Sequence, residues 1–283
     1  MRIGEYSVIR KTEKGYLASR GGMLYRLVRC PQAMTQERAD AMTAALERIV
    51  CPGSNILAPT FVCSERVWYS AVPYKDGIYG GLPHDYLRCL PEDARRHMIL
   101  LAVSAMEVLA RGGVVHGSLS PDCFGMTVTD SGVLCLVLED LRKAGFGSRE
   151  PLEPDRRSSY AAPELHKGGA PTAASDVFSL GLCLHSWLAG ELPRCKDSGS
   201  DALTKDDVLL SAAVPQWARG VVSDMLHPDA ASRPTAAEAF ARLAKGDETI
   251  DVPVYICESD TEEDADICNL MLEEDPRLVE RYG

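Results

Sequence analysis

Short apolar runs bounded by turn residues dominate the first 75 positions, and longer helical stripes dominate the remainder of the chain. Residues 6–10 and 16–19 predict strands joined by a turn through Lys14 and Gly15. Residues 23–28 predict a third strand, apolar apart from Arg26. In residues 35–50, Met42, Leu46 and Ile49 recur at helical spacing and predict one helix. Residues 55–62 and 66–72 predict the strands that complete the sheet. The glycine-rich stretch 73–83 interrupts the pattern and reads as a connector.

Beyond the connector, residues 91–111 predict a long helix with Met98, Leu101, Ala102, Met106 and Leu109 on one stripe. Arg111, Gly112 and Gly113 form its stop signal, with glycine past the last turn. Residues 123–128 and 133–138 predict a strand pair. Residues 176–189 predict an apolar central helix, and 208–211, 215–225 and 236–243 predict closing helices. The chain shows no internal repeat. These elements define an α+β fold with three parts: residues 1–75, 76–247 and 248–283.

Composition changes this reading mainly at the C-terminal end. With 283 residues, 46% apolar and 25% charged, the chain matches an ordinary globular domain with a tail. The net charge is −11, but residues 248–283 hold 12 acidic and 2 basic residues, so the rest is nearly neutral. That balance has no basic footprint for nucleic acid. The 10 cysteines include no Cys-x-x-Cys pair, so they read as reduced thiols in a cytoplasmic protein rather than as a metal or redox motif. The longest apolar stretch, 98–109, is broken by Ser104 and Glu107 and is shorter than the ~20 residues a membrane span requires.

The candidate chemistry lies in four segments. Residues 116–123 read His116-Gly117-Ser118-Leu119-Ser120-Pro121-Asp122-Cys123. Then come Tyr160-Ala161-Ala162-Pro163-Glu164 and Ser175-Asp176-Val177-Phe178-Ser179-Leu180-Gly181. The fourth is Ser232-Arg233-Pro234-Thr235-Ala236-Ala237-Glu238-Ala239. In order and spacing they resemble four protein-kinase segments: the catalytic loop H-R-D-L-K-P-x-N, the Y-x-A-P-E end of the activation segment, the S-D-V-W-S-L-G start of the central helix, and R-P-T-A-x-E. The resemblance implies a two-lobed fold, with a small β-rich lobe carrying one regulatory helix and a large helical lobe. It also implies structural roles. Glu164 would pair with Arg233, Asp176 would hold the catalytic-loop amides, and His116 would pack.

The same resemblance marks what has changed. Ser118 occupies the catalytic Asp position, Ser120 the Lys position and Cys123 the metal-binding Asn position. Losing a general base alone slows a reaction by about 10²–10⁴-fold. The phosphate-loop turn, Lys11 to Tyr16, has one glycine, Gly15, and carries Glu13. Arg26 is the nearest match to the phosphate-anchoring Lys, with Arg29 a rival, and Met42 stands where the regulatory helix carries a Glu. Val72 falls at the gatekeeper position, and Tyr74 and Lys75 lie in the adenine-binding segment. Leu138 aligns with the metal-binding Asp, and a slip of one or two residues offers Glu139 or Asp140. Asp122, next to Cys123, is a candidate to compensate as an oxygen ligand, although hard Mg²⁺ wants a full oxygen set. Cys123 reads as a packed thiol, with His116 its one candidate activator as a nucleophile. The segment 141–159 reads as a solvated basic loop, with Gly117 in the place of its usual phosphate receptor.

These departures imply a degenerate kinase-like chain with no catalytic residues and no metal, binding ATP without metal at most. Its expected role is a scaffold or regulator that binds another protein, such as an active kinase. The alternatives are a nucleotide sensor or a divergent active transferase. In the tail, residues 251–257 form a β-like run, 258–264 are acidic and 267–272 apolar. Thr261-Glu262-Glu263-Asp264 resembles the phosphothreonine motif read by forkhead-associated domains, so Thr261 is a candidate docking site for a phosphopeptide-binding partner.

Overall fold

The computed structural model describes residues 1–50, 54–74, 77–78, 87–128, 134–146, 151–152, 154, 156–195 and 208–245. Lys75, most of the connector 73–83 and the tail 248–283 therefore lie outside the described residues.

The N-terminal part is a sheet. Strands β1 (Arg2–Ile3), β2 (Tyr6–Thr12), β3 (Gly15–Arg20), β4 (Met23–Arg29), β5 (Thr60–Ser64) and β6 (Val67–Pro73) pair antiparallel in the order β1-β2-β3-β4-β6-β5. Gly15 opens β3 because its backbone passes close to β4. A Cβ there would sit 2.0 Å from the Leu27 carbonyl oxygen. One face of the sheet packs Ile3, Tyr6, Ala18, Leu27 and Ala71 into a small core. The guanidinium of Arg20 covers it, 5.3 Å from the Tyr6 ring centre and 5.9 Å from that of Tyr25.

Helix α1 (Gln36–Glu47) starts at Thr35, whose hydroxyl accepts the Arg38 N–H. It turns Met42 and Leu46 into the apolar core shared with the C-terminal part. The strand expected at 55–62 starts later, at Thr60. The backbone before it bonds elsewhere: Asn55 O accepts from Leu138 N at 2.8 Å, and Leu57 N donates to Leu138 O at 2.8 Å. Pro59, lacking an N–H, separates the two pairings.

The C-terminal part is built on helices α2 (Glu92–Arg111), α3 (Pro163–His166), α4 (Ala173–Ala189), α5 (Gln216–Met225) and α6 (Ala236–Ala244). Helix α4 is buried at every position from Ser175 to Leu188, as its apolar sequence requires. Thr172 and Ser175 form a capping box at its start, and Gly190, with φ of 78°, ends it in the left-handed conformation only glycine adopts readily. Phe124 meets Trp187 edge-on at 5.1 Å between ring centres.

Short strands complete the frame. Strand β8 (Val114–Val115) pairs with β11 (Gly145–Phe146), and β9 (Phe124–Val128) pairs with β10 (Leu134–Leu138) and β7 (Gly77–Ile78). The helix expected at 208–211 is instead strand β13 (Val208–Leu209), paired with β12 (Arg194–Cys195). An apolar run this short has no period of its own, and Pro215 stops any helix from extending through it.

Arg233 ties the C-terminal helices together. Its side chain has 0% exposure, and it grips Glu164 with two bonds of 2.7 and 2.8 Å. The remaining N–H groups donate to the carbonyls of Ala174, His227 and Pro228, so all five guanidinium donors are used. Burial pushes the Glu164 carboxyl up, but the hydrogen bonds and charge of Arg233 outweigh it and hold the group below its ordinary range.

Arg233→Ala should therefore lower unfolding stability by about 3–5 kcal/mol, because it strands a carboxylate and several carbonyls. Ser118→Ala should change stability far less; urea unfolding of both variants checks this. The pair's contribution should be complete at neutral pH and disappear as pH falls through the lowered Glu164 value. Glu164→Gln should lack that acid-side loss.

Candidate active-site region

The loop from His116 to Cys123 joins β8 to β9. It is held from beneath by Asp176 in the first turn of α4. The Asp176 carboxylate accepts the His116 N–H at 2.7 Å and the Gly117 N–H at 2.8 Å. Burial raises the Asp176 pKa, an effect that the nearby imidazole and the two amides only partly offset. Gly117 has φ of 72°, and a Cβ there would sit 2.5 Å from Pro151 Cβ. Glycine is demanded by both conformation and space.

On that frame the loop side chains bond to one another. The Cys123 thiol donates to the Ser118 carbonyl at 3.5 Å, and Ser120 Oγ lies 3.8 Å from it. Burial, with Asp140 adding to it, pushes the Cys123 thiol up to about 12. Burial and the neighbouring carboxylate disfavour a thiolate there, and the side chain packs beneath the loop. His116 is buried, and its Nδ1 accepts the Ser118 N–H at 3.4 Å.

A cavity of about 140 Å³ opens beside this loop, lined by Ser118, Ser120, Cys123, Asp140, Arg142 and Lys143 among others. Leu138, aligned by sequence with the metal ligand, faces the core with 0% exposure. The β9–β10 register puts it opposite Phe124, and Leu141 is likewise buried, so Asp140 between them reaches the cavity. Asp140 is held by Arg142. Nε meets Oδ1 at 2.7 Å, Nη2 meets Oδ2 at 2.7 Å, and the Arg142 backbone N–H adds 3.2 Å. Burial alone would raise this carboxyl; the bonds and charge of Arg142 hold it at about 2.

The other candidate charges are also engaged within the chain. Arg26, opposite Val72 in the sheet, pairs with Glu139, whose side chain has 0% exposure. Asp122 pairs with Lys14 of the β2–β3 turn at 3.2 Å. Arg142 reaches the small sheet as well, donating to the Arg29 carbonyl at 2.7 Å. Arg38 of α1 donates to Ala144 O at 3.1 Å. Met42 is fully buried, and Val72 is buried beside Arg26. Tyr74 is half-buried and its N–H donates to Leu24 O at 2.9 Å.

Within the segment read as a solvated loop, Arg156 is half-buried and donates to the carbonyls of Leu165 and Gly169. That arginine is structural. The sequence reading missed the partners: Glu139 for Arg26, Arg142 for Asp140 and Lys14 for Asp122. One signal was present locally: Arg142 follows Asp140 by two residues.

A protein-kinase site uses magnesium and a nucleotide, and the residues here do not fit the metal. The Asn position holds a buried thiol, and of the two carboxylates lining the cavity Asp140 is gripped by Arg142 and Asp122 is paired with Lys14. Among the described residues no group of three or more His, Cys, Asp or Glu side chains gathers to hold a metal.

No protein-family model matches the chain. It is similar to CBL-interacting serine/threonine-protein kinase 16 of Arabidopsis thaliana, with 28% identity over 53% of this chain and 34% of that protein. It is also similar to ribosomal protein S6 kinase alpha-2 of Mus musculus, with 30% identity over 54% of this chain and 23% of that protein. The match thus spans about a third or less of these relatives. In fold, the chain resembles a solved structure of the Rad53 kinase domain and SCD2, with a TM-score of 0.59, 17% identity and coverage of 85% of this chain and 89% of that one. By sequence and by fold together, this chain is a relative of the protein kinase superfamily.

Proposed function

We propose that this chain is a kinase-fold protein that does not transfer phosphate and acts by binding another protein. The observation that carries this reading is the two-pronged grip of Arg142 on Asp140. A metal bridging phosphates needs an open carboxylate, and this one already has a fixed cation. Ser118 and Ser120 add no base and no fixed positive charge. The relatives are named as kinases, so the proposed inactivity rests on this chain's own residues alone.

The phosphate clamp points the same way. Arg26 spends its charge on Glu139 inside the protein, where an active kinase would hold a lysine against a glutamate of the regulatory helix. Arginine's planar fork suits a carboxylate and is not a substitute for a compact ammonium at a triphosphate. A second reading is metal-free ATP binding along Arg26, Val72, Tyr74, Lys75 and Asp140. It is favoured by the hinge chemistry, which uses backbone groups and tolerates sequence change.

The partner is proposed to be another protein, such as an active kinase, met in the cytoplasm. Thr261 in its acidic surroundings is the proposed contact for a phosphopeptide-binding domain. Among the described residues no helix is long and apolar enough to cross a membrane.

Purified protein should incorporate no radiolabelled phosphate into itself or into generic substrates, and Ser118→Asp alone should not change that. Incorporation lost on Asp140→Ala would overturn the reading. In thermal unfolding, ATP with Mg²⁺ or Mn²⁺ should shift the midpoint no more than ATP alone. A site filled to about 100 times its Kd would add about 2.7 kcal/mol, which is readily seen.

Removing residues 247–283, or changing Thr261→Ala, should weaken capture of partner proteins from native lysate. Identical partner sets for full-length and altered chains would move the contact onto the folded domain.

A further inference from the structure

A cavity of about 410 Å³ opens among three helices of the C-terminal part. Its wall includes Met106 and Ala110 of α2, Ala173 and Val177 of α4, and Pro234 and Ala236 at the start of α6. The volume is many times the ~10–15 Å³ that admits one water, far larger than a packing flaw. Small alanines at the meeting of the helices create it.

Three polar residues reach this wall, and each is already committed. Asp176 takes the two loop amides, Arg233 uses all five of its donors, and Thr235 exchanges bonds with Glu238. A ligand would find apolar contact there and almost no vacant hydrogen-bonding capacity. An apolar occupant would remove that surface from water and restore the missing dispersion contacts.

The sequence supplies such an occupant within reach. The described chain leaves the domain at Lys245, one residue beyond the end of α6. Helix α6 begins at the cavity, so its far end stands about 12 Å away at 1.5 Å per residue. Residues 246–251 can span about 20 Å when extended. The next segment reads Val252-Pro253-Val254-Tyr255-Ile256. In an extended chain Val252, Val254 and Ile256 share one face, and all three are stiff β-branched side chains that lose little freedom on burial. The more distant run 267–272 would close a longer loop at greater entropic cost.

We propose that residues 252–256 dock in this cavity, with Val252, Val254 and Ile256 turned into it. The dock rests on no part of the preceding functional reading. It would fix the start of the acidic stretch 258–266 against the helical face and leave Thr261 projecting just beyond.

Hydrogen exchange on the full chain tests this. Amides 254–257 should exchange at least tenfold more slowly than amides 259–264. Val254→Asp should abolish the difference, and so should Ala110→Trp, which fills the cavity from an exposed position of α2. Equal rates in the unaltered chain would overturn the proposal, as would protection that survives Ala110→Trp. Should Ala110→Trp disturb the domain, seen as faster exchange throughout α4, Val254→Asp decides from the other side. It should speed exchange in residues 106–111 and 173–177, and unchanged rates there would overturn the dock. Protection that grows with protein concentration would assign the cavity to a second copy. A bound apolar molecule seen in native mass spectra and displaced by Ala110→Trp would assign it to a small ligand. Either result would also overturn docking by the chain's own segment.

Discussion

The buried carboxylate of Asp176 is the constraint on which the site region depends. It stands in the first turn of a helix whose side chains are buried all round, and it accepts two consecutive loop amides. Those amides have no strand or helix to pair with, and a buried unpaired N–H is costly. One carboxylate therefore settles the course of the loop from His116 to Cys123. The loop keeps this support while the residues projecting from it carry different chemistry. Arg233 does the same work for the helices, meeting Glu164 and three carbonyls with a single side chain.

Above that frame, the charges of the cleft answer one another. Arg26 meets Glu139, Asp140 meets Arg142, and Asp122 meets Lys14. The first two pairs are largely shielded from water, and the third is exposed and correspondingly weak. A buried charge stripped of its partner would destabilise the fold, so the inner pairs constrain each other's substitution. Replacing Arg142 by an uncharged residue, as a kinase Gly would be, would remove the cation that grips Asp140.

Much of this was legible in the chain itself. The role of Asp176 was expected only through the resemblance of the segment Ser175 to Gly181 to the start of a kinase central helix, not from any local pattern. The sheet and the long helix α2 followed from periodicity. The misread elements were those with too few residues to show a period. Val208–Leu209 is a strand two residues long, and the stretch before Thr60 spends its hydrogen bonds on a distant strand. The partners in the cleft were hidden for a different reason. Whether Leu138, Glu139 or Asp140 reaches the cavity depends on one residue of register, which only the pairing of β9 with β10 decides. The ion pairs join residues more than a hundred positions apart, Arg26 with Glu139 and Lys14 with Asp122, and no local pattern announces such contacts.

The bond from Arg142 to the Arg29 carbonyl joins the sheet to the helical part, and the Arg26–Glu139 pair and the Asn55–Leu138 backbone contacts join them again. Opening the two parts away from one another would have to break these together with the Arg38–Ala144 bond and the core that Met42 and Leu46 share with the helices. Under the proposed reading, a protein partner would meet one preorganised shape across the junction. Little ordering entropy would be spent there on association, so contacts of modest number would suffice for useful affinity.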